Sequence, residues 1–182
     1  MGNFEFISKI FIRENHALDI GAYDYGYKHC LNEGFSGRVM FINSSVSGPH
    51  SDGWLDKYEE LFLSHSQIGL SGTTTNTSPA KDAGVSTQEH VQSWLLYSDM
   101  SILKDCFGDS LLSNASYKTK LDVIENGEIY ISQKILNKGY GINCMAFPKL
   151  HFFKGDSWPY PFKFRWRGRD KSLQQFINTT IV

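Results

Sequence analysis

Residues 39–49, "VMFINSSVSGP", combine a strand pattern with a polar end. The stretch begins with four apolar residues, which predict a buried β-strand, and continues into Asn43, Ser44 and Ser45 before a Gly-Pro turn. In an open α/β sheet, ligands bind just beyond the carboxyl ends of the strands. The polar residues that end this strand therefore mark a candidate ligand site that has no carboxylate of its own.

Strand and helix patterns alternate on both sides of this stretch. In chain order, the predicted strands are "KIFIREN", "RVMFINSS", "QIGLSGTT", "HVQSWLLYS" and "YGINCMAF", and the predicted helices are "DIGAYDYGYKHCLNEG", "GWLDKYEELFLSH", "DMSILKDCFG" and "GEIYISQKILNKG". Such alternation predicts one α/β domain, over residues 1–150, with a mainly parallel sheet flanked by helices. The polar run at residues 76–88 predicts a long loop with a functional or mobile role.

The last part of the chain has a different pattern. In residues 151–182, "PFKFRWRGR" alternates aromatic residues with Lys163, Arg165 and Arg167. This period of two predicts an extended, basic and aromatic extension packed on the domain. Its basic face either lies near a bound anionic group or protects a sheet edge from pairing.

Composition excludes several classes of function. The 182 residues carry a formal net charge of −1, which argues against a nucleic-acid partner along the whole chain. The three cysteines are far apart and form no C-x-x-C pair, so a disulfide framework and a cysteine zinc site are not indicated, and a reducing, cytoplasmic location is expected. The chain has no apolar run of membrane-spanning length, which predicts no transmembrane segment and leaves peripheral membrane contact open. The common motifs of zinc proteases, serine hydrolases and P-loop proteins are absent from the sequence.

Polar residues at the predicted element ends are the remaining candidates for chemistry. Each has an ordinary structural explanation: Asp19 as a helix N-cap, the run at 43–45 as a turn, His90 as a surface or satisfied core histidine, and Glu128 as a first-turn helix acid. Taken singly, none of them indicates an enzyme.

Taken together, five blocks in this order and spacing resemble a known family. The blocks are "ENHALDIGAYDYGYK", "VMFINSSVSGP", "ELFLSHSQIGLSGTTTN", "HVQSWLLYSD" and "GEIYISQKILNKGYGI". They resemble glycosyltransferases of the GT-A type from bacteria and large viruses, especially the rhamnan-synthesis-like and capsule or surface-glycan enzymes. The resemblance covers residues 11–145, and it implies a GT-A-like fold that lacks the first βα unit of its relatives.

The resemblance also implies an activity and a set of site residues. The expected reaction transfers a sugar from a nucleotide-sugar donor to a hydroxyl of a glycan or lipid-linked glycan, with inversion. Glu128 aligns with the general base, which such a reaction needs because a hydroxyl is a poor nucleophile until its proton has an acceptor. The other implied residues are Asp19, Gly21, Asn43, Ser44 and Ser45 on the donor side and Thr73, His90 and Gln92 on the acceptor side.

A divalent cation is also implied, with weak binding. Asn43 and Ser45 stand where relatives carry the two aspartates of a metal-binding D-x-D motif. Neutral oxygens are poorer ligands for Mn²⁺ or Mg²⁺ than carboxylates. Two other functions stay open: a non-catalytic carbohydrate- or nucleotide-binding remnant of the same fold, and an interaction module that uses the basic extension.

Overall fold

The computed structural model describes residues 8–48, 52–76 and 88–156. Short apolar runs between turn residues form the strands, and runs with apolar residues three and four apart form the helices. The strands are β1 (Arg38–Ile42), β2 (Ile68–Gly72), β3 (Thr75–Asn76), β4 (His90–Val91), β5 (Leu95–Asp99), β6 (Gly141–Cys144) and β7 (His151–Phe152). The helices are α1 (Leu18–Asn32), α2 (Trp54–Leu63), α3 (Met100–Phe107), α4 (Lys120–Val123) and α5 (Tyr130–Asn137), and a π-helical segment (Ile124–Ile129) joins α4 to α5.

One mixed sheet organises these elements. Five strands follow the order β1-β5-β2-β6-β7, while β3 and β4 form a separate two-stranded sheet. β5 runs antiparallel to both β1 and β2, and β6 runs parallel to β2. β1, β2 and β6 therefore point the same way, and their carboxyl ends meet at one edge of the sheet. Ile42 at the end of β1 lies opposite Leu95, so the start of β5 reaches the same edge.

The prediction of a mainly parallel sheet is wrong, because three of the four neighbouring pairs are antiparallel. The cause lies in "HVQSWLLYS", which was predicted as one strand. A turn at Ser93 and Trp94 splits it into β4, which pairs with β3, and β5, which inserts between β1 and β2. The α/β class itself is confirmed.

Helices cover both faces of the sheet. Alternate side chains of β5 point to opposite faces: Leu95 and Tyr97 pack with α2, while Leu96 packs in the larger cluster formed by α1, α3 and α5. β1 shows the same alternation, but among its residues only Phe41 is buried. The prediction that β1 is a buried strand is wrong, because β1 is one of the two edge strands of the five-stranded sheet in the described part of the chain.

Two other predicted elements differ from the structure. "KIFIREN" forms no strand: residues 8–15 are irregular, and Ile12 is almost fully exposed. The last helical run begins at Lys120 rather than near Gly127, because Thr119 and Asp122 form a capping box there. Glu128 therefore lies in the middle of the run, so the explanation of Glu128 as a first-turn acid is wrong.

The remaining predictions divide between the described and undescribed residues. β7 pairs with β6 just after the expected domain end at residue 150. The predicted loop, apart from its ends, and the basic extension beyond residue 156 lie outside the described residues. Within the described residues, none of the helices has the length and apolar character needed to cross a membrane.

Candidate functional site

Asp19 lies in the first turn of α1, directly after an unusual turn of the backbone. Ala17 is the N-cap residue and has a φ of 55°, and Leu18 has a φ of 48°. L-residues avoid this left-handed region at a cost of about 1–2 kcal/mol each. The explanation of Asp19 as an N-cap is therefore wrong, and its carboxylate is free for other contacts.

Asn43 connects the end of β1 to Asp19. Its side-chain oxygen accepts a hydrogen bond from the backbone N–H of Ser45 at 2.9 Å, which forms an Asx turn. Its Nδ2 donates to Oδ2 of Asp19 at 3.1 Å. The predicted turn is confirmed, and the same side chain also holds Asp19.

Ser93 is a site residue that sequence reasoning missed. Its hydroxyl donates to Oδ2 of Asp19 at 3.0 Å, and its backbone N–H donates to Oε2 of Glu128 at 2.9 Å. One buried residue thus bridges the two carboxylates. The sequence signal for Ser93 was weak: it is a small hydroxyl residue that follows Gln92 in a segment predicted to be a strand.

Glu128 reaches this position through a close contact between helices. A Cβ on Gly127 would lie only 2.8 Å from Cγ1 of Ile20, so the π-helical segment and α1 approach closely at this point. Oε1 of Glu128 lies 3.1 Å from Nε2 of His90. Short π-helical turns are frequent at functional sites.

The buried His90 side chain lies between two oxygen acceptors. Its Nε2 faces Oε1 of Glu128, and its Nδ1 lies 2.7 Å from the backbone oxygen of Gln88. Burial alone would raise the pKa of Glu128, but the hydrogen bond and charge of His90 and the hydrogen bonds from Ser93 outweigh it and lower the pKa. The expectation that His90 is a satisfied core histidine is met, and its partner is the proposed base.

The two carboxylates differ in how many of their oxygens accept a hydrogen bond from a described residue. Both oxygens of Glu128 accept a hydrogen bond. Asp19 receives both of its bonds on Oδ2, and no described residue donates to its Oδ1. Tyr23 lies beneath them and donates to the backbone oxygen of Ser93 at 2.7 Å. Burial, with the charges of Asp19 and Glu128, raises the pKa of Tyr23, so the phenol stays a donor.

The other predicted site residues make different contacts. The hydroxyl of Thr73 lies 2.9 Å from that of Tyr58 on α2, and Oε1 of Gln92 accepts from Thr74 at 2.6 Å. Their contacts among the described residues do not join them to the carboxylates. A Cβ on Gly21 would lie 1.9 Å from the backbone oxygen of His16, so this glycine is required for packing.

The side-chain oxygens that follow β1 are poorly suited to bind a cation. The oxygen of Asn43 already accepts from Ser45, and Ser44 and Ser45 are exposed on the turn. The described residues contain no group of three His, Cys, Asp or Glu side chains that could hold a metal ion. A cation at Asn43 and Ser45 therefore stays a prediction from the resemblance.

No family model, curated protein or solved structure matches the chain. The site is therefore interpreted from its own geometry. That geometry joins Asp19, Asn43, Ser93, His90 and Glu128 in one network of hydrogen bonds. The network lies where β1 ends and β5 begins, at the edge where the parallel strands terminate.

Proposed function

We propose that the protein is a glycosyltransferase that moves a sugar from a nucleotide-sugar donor to a hydroxyl of a glycan or lipid-linked glycan. The observation that carries the proposal is the bridge of Ser93 between Asp19 and Glu128. These two acids come from segments far apart in the chain and meet at the sheet edge where α/β proteins bind ligands. The motif resemblance described above names the same two acids.

The chemistry expected of this site is a direct displacement. The acceptor hydroxyl attacks the anomeric carbon, the bond from that carbon to the diphosphate oxygen breaks, and the hydroxyl proton passes to a carboxylate. General base catalysis of this kind contributes roughly 10²–10⁴-fold. Glu128 is the proposed base, and the bonds from Ser93 and His90 fix its orientation. Asp19 is proposed to accept a hydrogen bond from a hydroxyl of the donor sugar through Oδ1, to which no described residue donates.

One observation favours a second candidate, binding of a nucleotide-sugar or carbohydrate without turnover. Both oxygens of Glu128 already accept hydrogen bonds, and its lowered pKa makes it a weaker proton acceptor. In this candidate Glu128 serves only to hold His90 and the turn at Ser93. The two candidates share a binding site and differ in whether Glu128 takes a proton.

The test compares Glu128→Gln with a matched control, Glu125→Gln, in the same π-helical segment. Binding is measured by thermal shift over a panel of nucleotide-sugars, with and without Mn²⁺, because a ligand of the folded state raises Tm. Turnover is measured as release of the nucleoside diphosphate in the presence of oligosaccharide acceptors. The enzyme proposal expects Glu128→Gln to keep donor binding and to lose turnover by roughly a hundredfold or more, with the control unchanged.

The outcomes separate the two candidates. Binding by the parent protein without any turnover would favour the binding candidate. A Tm that no nucleotide-sugar changes, with or without Mn²⁺, would contradict both. If the parent protein turns over and Glu128→Gln is equally active, Glu128 is not the base.

A further inference from the structure

Arg13 binds the backbone of the turn that leads into α1. Its Nη1 donates to the carbonyl oxygen of Glu14 at 2.7 Å and to that of His16 at 3.0 Å. Its Nη2 donates to the carbonyl oxygen of Leu18. A single guanidinium thus holds three carbonyl groups within six residues of chain.

The turn that it holds is strained and tightly packed. Ala17 and Leu18 both have positive φ, although neither is a glycine. Gly21 donates its backbone N–H to the oxygen of Ala17 at 3.0 Å, and a Cβ at this position would overlap the oxygen of His16. Such backbone conformations persist only where surrounding contacts over-determine them. In the described structure, the guanidinium of Arg13 is one of those contacts.

The residue that follows this turn is Asp19. Its Oδ2 is fixed by Asn43 and Ser93, so the direction of its Oδ1 depends on where the backbone of Leu18 and Asp19 lies. We propose that Arg13 is a positioning residue, which holds the left-handed turn and thereby presents Oδ1 of Asp19 to a ligand hydroxyl. The ligand in this statement rests on the proposed function, whereas the positioning of Asp19 does not.

A direct role for Arg13 makes a different prediction. Arginine has five N–H donors, and the three bonds to carbonyls leave others that could bind a phosphate. If Arg13 acted mainly on the diphosphate of a donor, its loss would weaken binding without moving Asp19. The two roles can therefore be separated by measuring the position of Asp19 apart from ligand affinity.

The experiment uses Arg13→Gln, Arg13→Lys and the double variant Arg13→Gln/Ala17→Gly. Glycine adopts positive φ without strain, so Ala17→Gly should restore the turn when the guanidinium is absent. Lysine keeps the charge but cannot hold several carbonyls in a planar fork. Lys9→Gln is the control, because this cation on the same segment contacts only Glu33 and His29 among the described residues.

The first measurement needs no ligand. The side-chain amide signal of Asn43 in a ¹H–¹⁵N spectrum reports its bond to Asp19, and Asp19→Ala gives the reference for the broken bond. We expect the signal to move toward that reference in Arg13→Gln and Arg13→Lys and to return in the double variant. The second measurement is nucleotide-sugar affinity, which should fall roughly tenfold in Arg13→Gln and recover to within about threefold in the double variant.

Two outcomes overturn the inference. If the Asn43 signal stays in place in Arg13→Gln, Arg13 does not position Asp19, whatever happens to affinity. If affinity falls and Ala17→Gly does not restore it, Arg13 contacts the ligand directly. If the parent protein binds no nucleotide-sugar, the proposed function fails, and the Asn43 signal still decides the role of Arg13. If Arg13→Gln does not fold, the same comparison is made with Arg13→Lys.

Discussion

The contact between Gly127 and Ile20 can be tested with a matched pair of glycine substitutions. An added Cβ at Gly127 would lie 2.8 Å from Cγ1 and 3.1 Å from Cγ2 of Ile20. A Cβ added at Gly26 in α1 would meet no atom of another described element within 4 Å. Replacing a helical glycine by alanine stabilises by about 1 kcal/mol from backbone propensity alone. Overpacking a tight contact costs about 1–3 kcal/mol. Gly26→Ala should therefore gain about 1 kcal/mol, and Gly127→Ala should end about 1–3 kcal/mol below it.

The assay is urea unfolding of both variants, supported by thermal unfolding. For a chain of this size, 1 kcal/mol corresponds to about 2–4 °C in Tm. Gly26→Ala should raise Tm by about that amount, and Gly127→Ala should leave it level or lower it. Equal stabilisation by both substitutions would refute the close approach of the π-helical segment and α1, which brings Glu128 and Asp19 within reach of Ser93.

Three further predictions concern the network. Ser93→Ala should destabilise the protein by about 1 kcal/mol, because Asp19 loses a hydroxyl donor. The measurement is urea unfolding, with Ser66→Ala at an exposed position as the control. Equal free energies of unfolding for the two variants would contradict the hydrogen bond from Ser93 to Asp19. Because the pKa of Glu128 is lowered in the folded state, Glu128 adds stability above about pH 4.5 that is lost as pH falls through the lowered pKa. Glu128→Gln should therefore make the free energy of unfolding depend less on pH in this acidic range. An unchanged pH dependence would contradict the contacts of Glu128 with His90 and Ser93. Asn43→Asp puts a second carboxylate beside Asp19, so it should lower Tm, and Mn²⁺ should restore it; a Tm that does not respond to Mn²⁺ would argue against a latent cation site.

Local patterns predicted α2 and the start of α3 well, whereas they misplaced the start of the last helical run. The helix α2 follows from an apolar stripe at helical spacing, with Tyr58, Leu61 and Phe62 buried. At the start of α3, Asp99 is the N-cap as predicted, and it accepts from the backbone N–H of Ser101. These features depend on residues within a few positions of one another, which is the range over which sequence patterns carry information.

The strand order and the contacts between the site residues could not be predicted from local sequence patterns. The insertion of β5 between β1 and β2 depends on pairing between distant segments, and nothing in "HVQSWLLYS" marks the turn at Ser93. Asp19, Asn43, His90 and Glu128 could be named because they are polar residues at predicted element ends within the blocks that resemble a known family. The connection of these residues through Ser93 and the hydrogen bond between Thr73 and Tyr58 join segments that are distant in sequence, so local patterns could not predict them.

The π-helical segment interrupts the last helical run just before the buried residues of α5. In an uninterrupted α-helix, each residue turns by about 100°, so residues 128, 131 and 135 would share one stripe. Ile131 and Ile135 are buried in the core, and Glu128 on that stripe would carry its charge toward them. In the structure Glu128 belongs to the π-helical segment instead, and its carboxylate contacts His90 and Ser93. The number of residues between Thr119 and Ile131 is therefore as constrained as their identities. A one-residue deletion in this interval would displace either Ile131 from the core or Glu128 from His90 and Ser93.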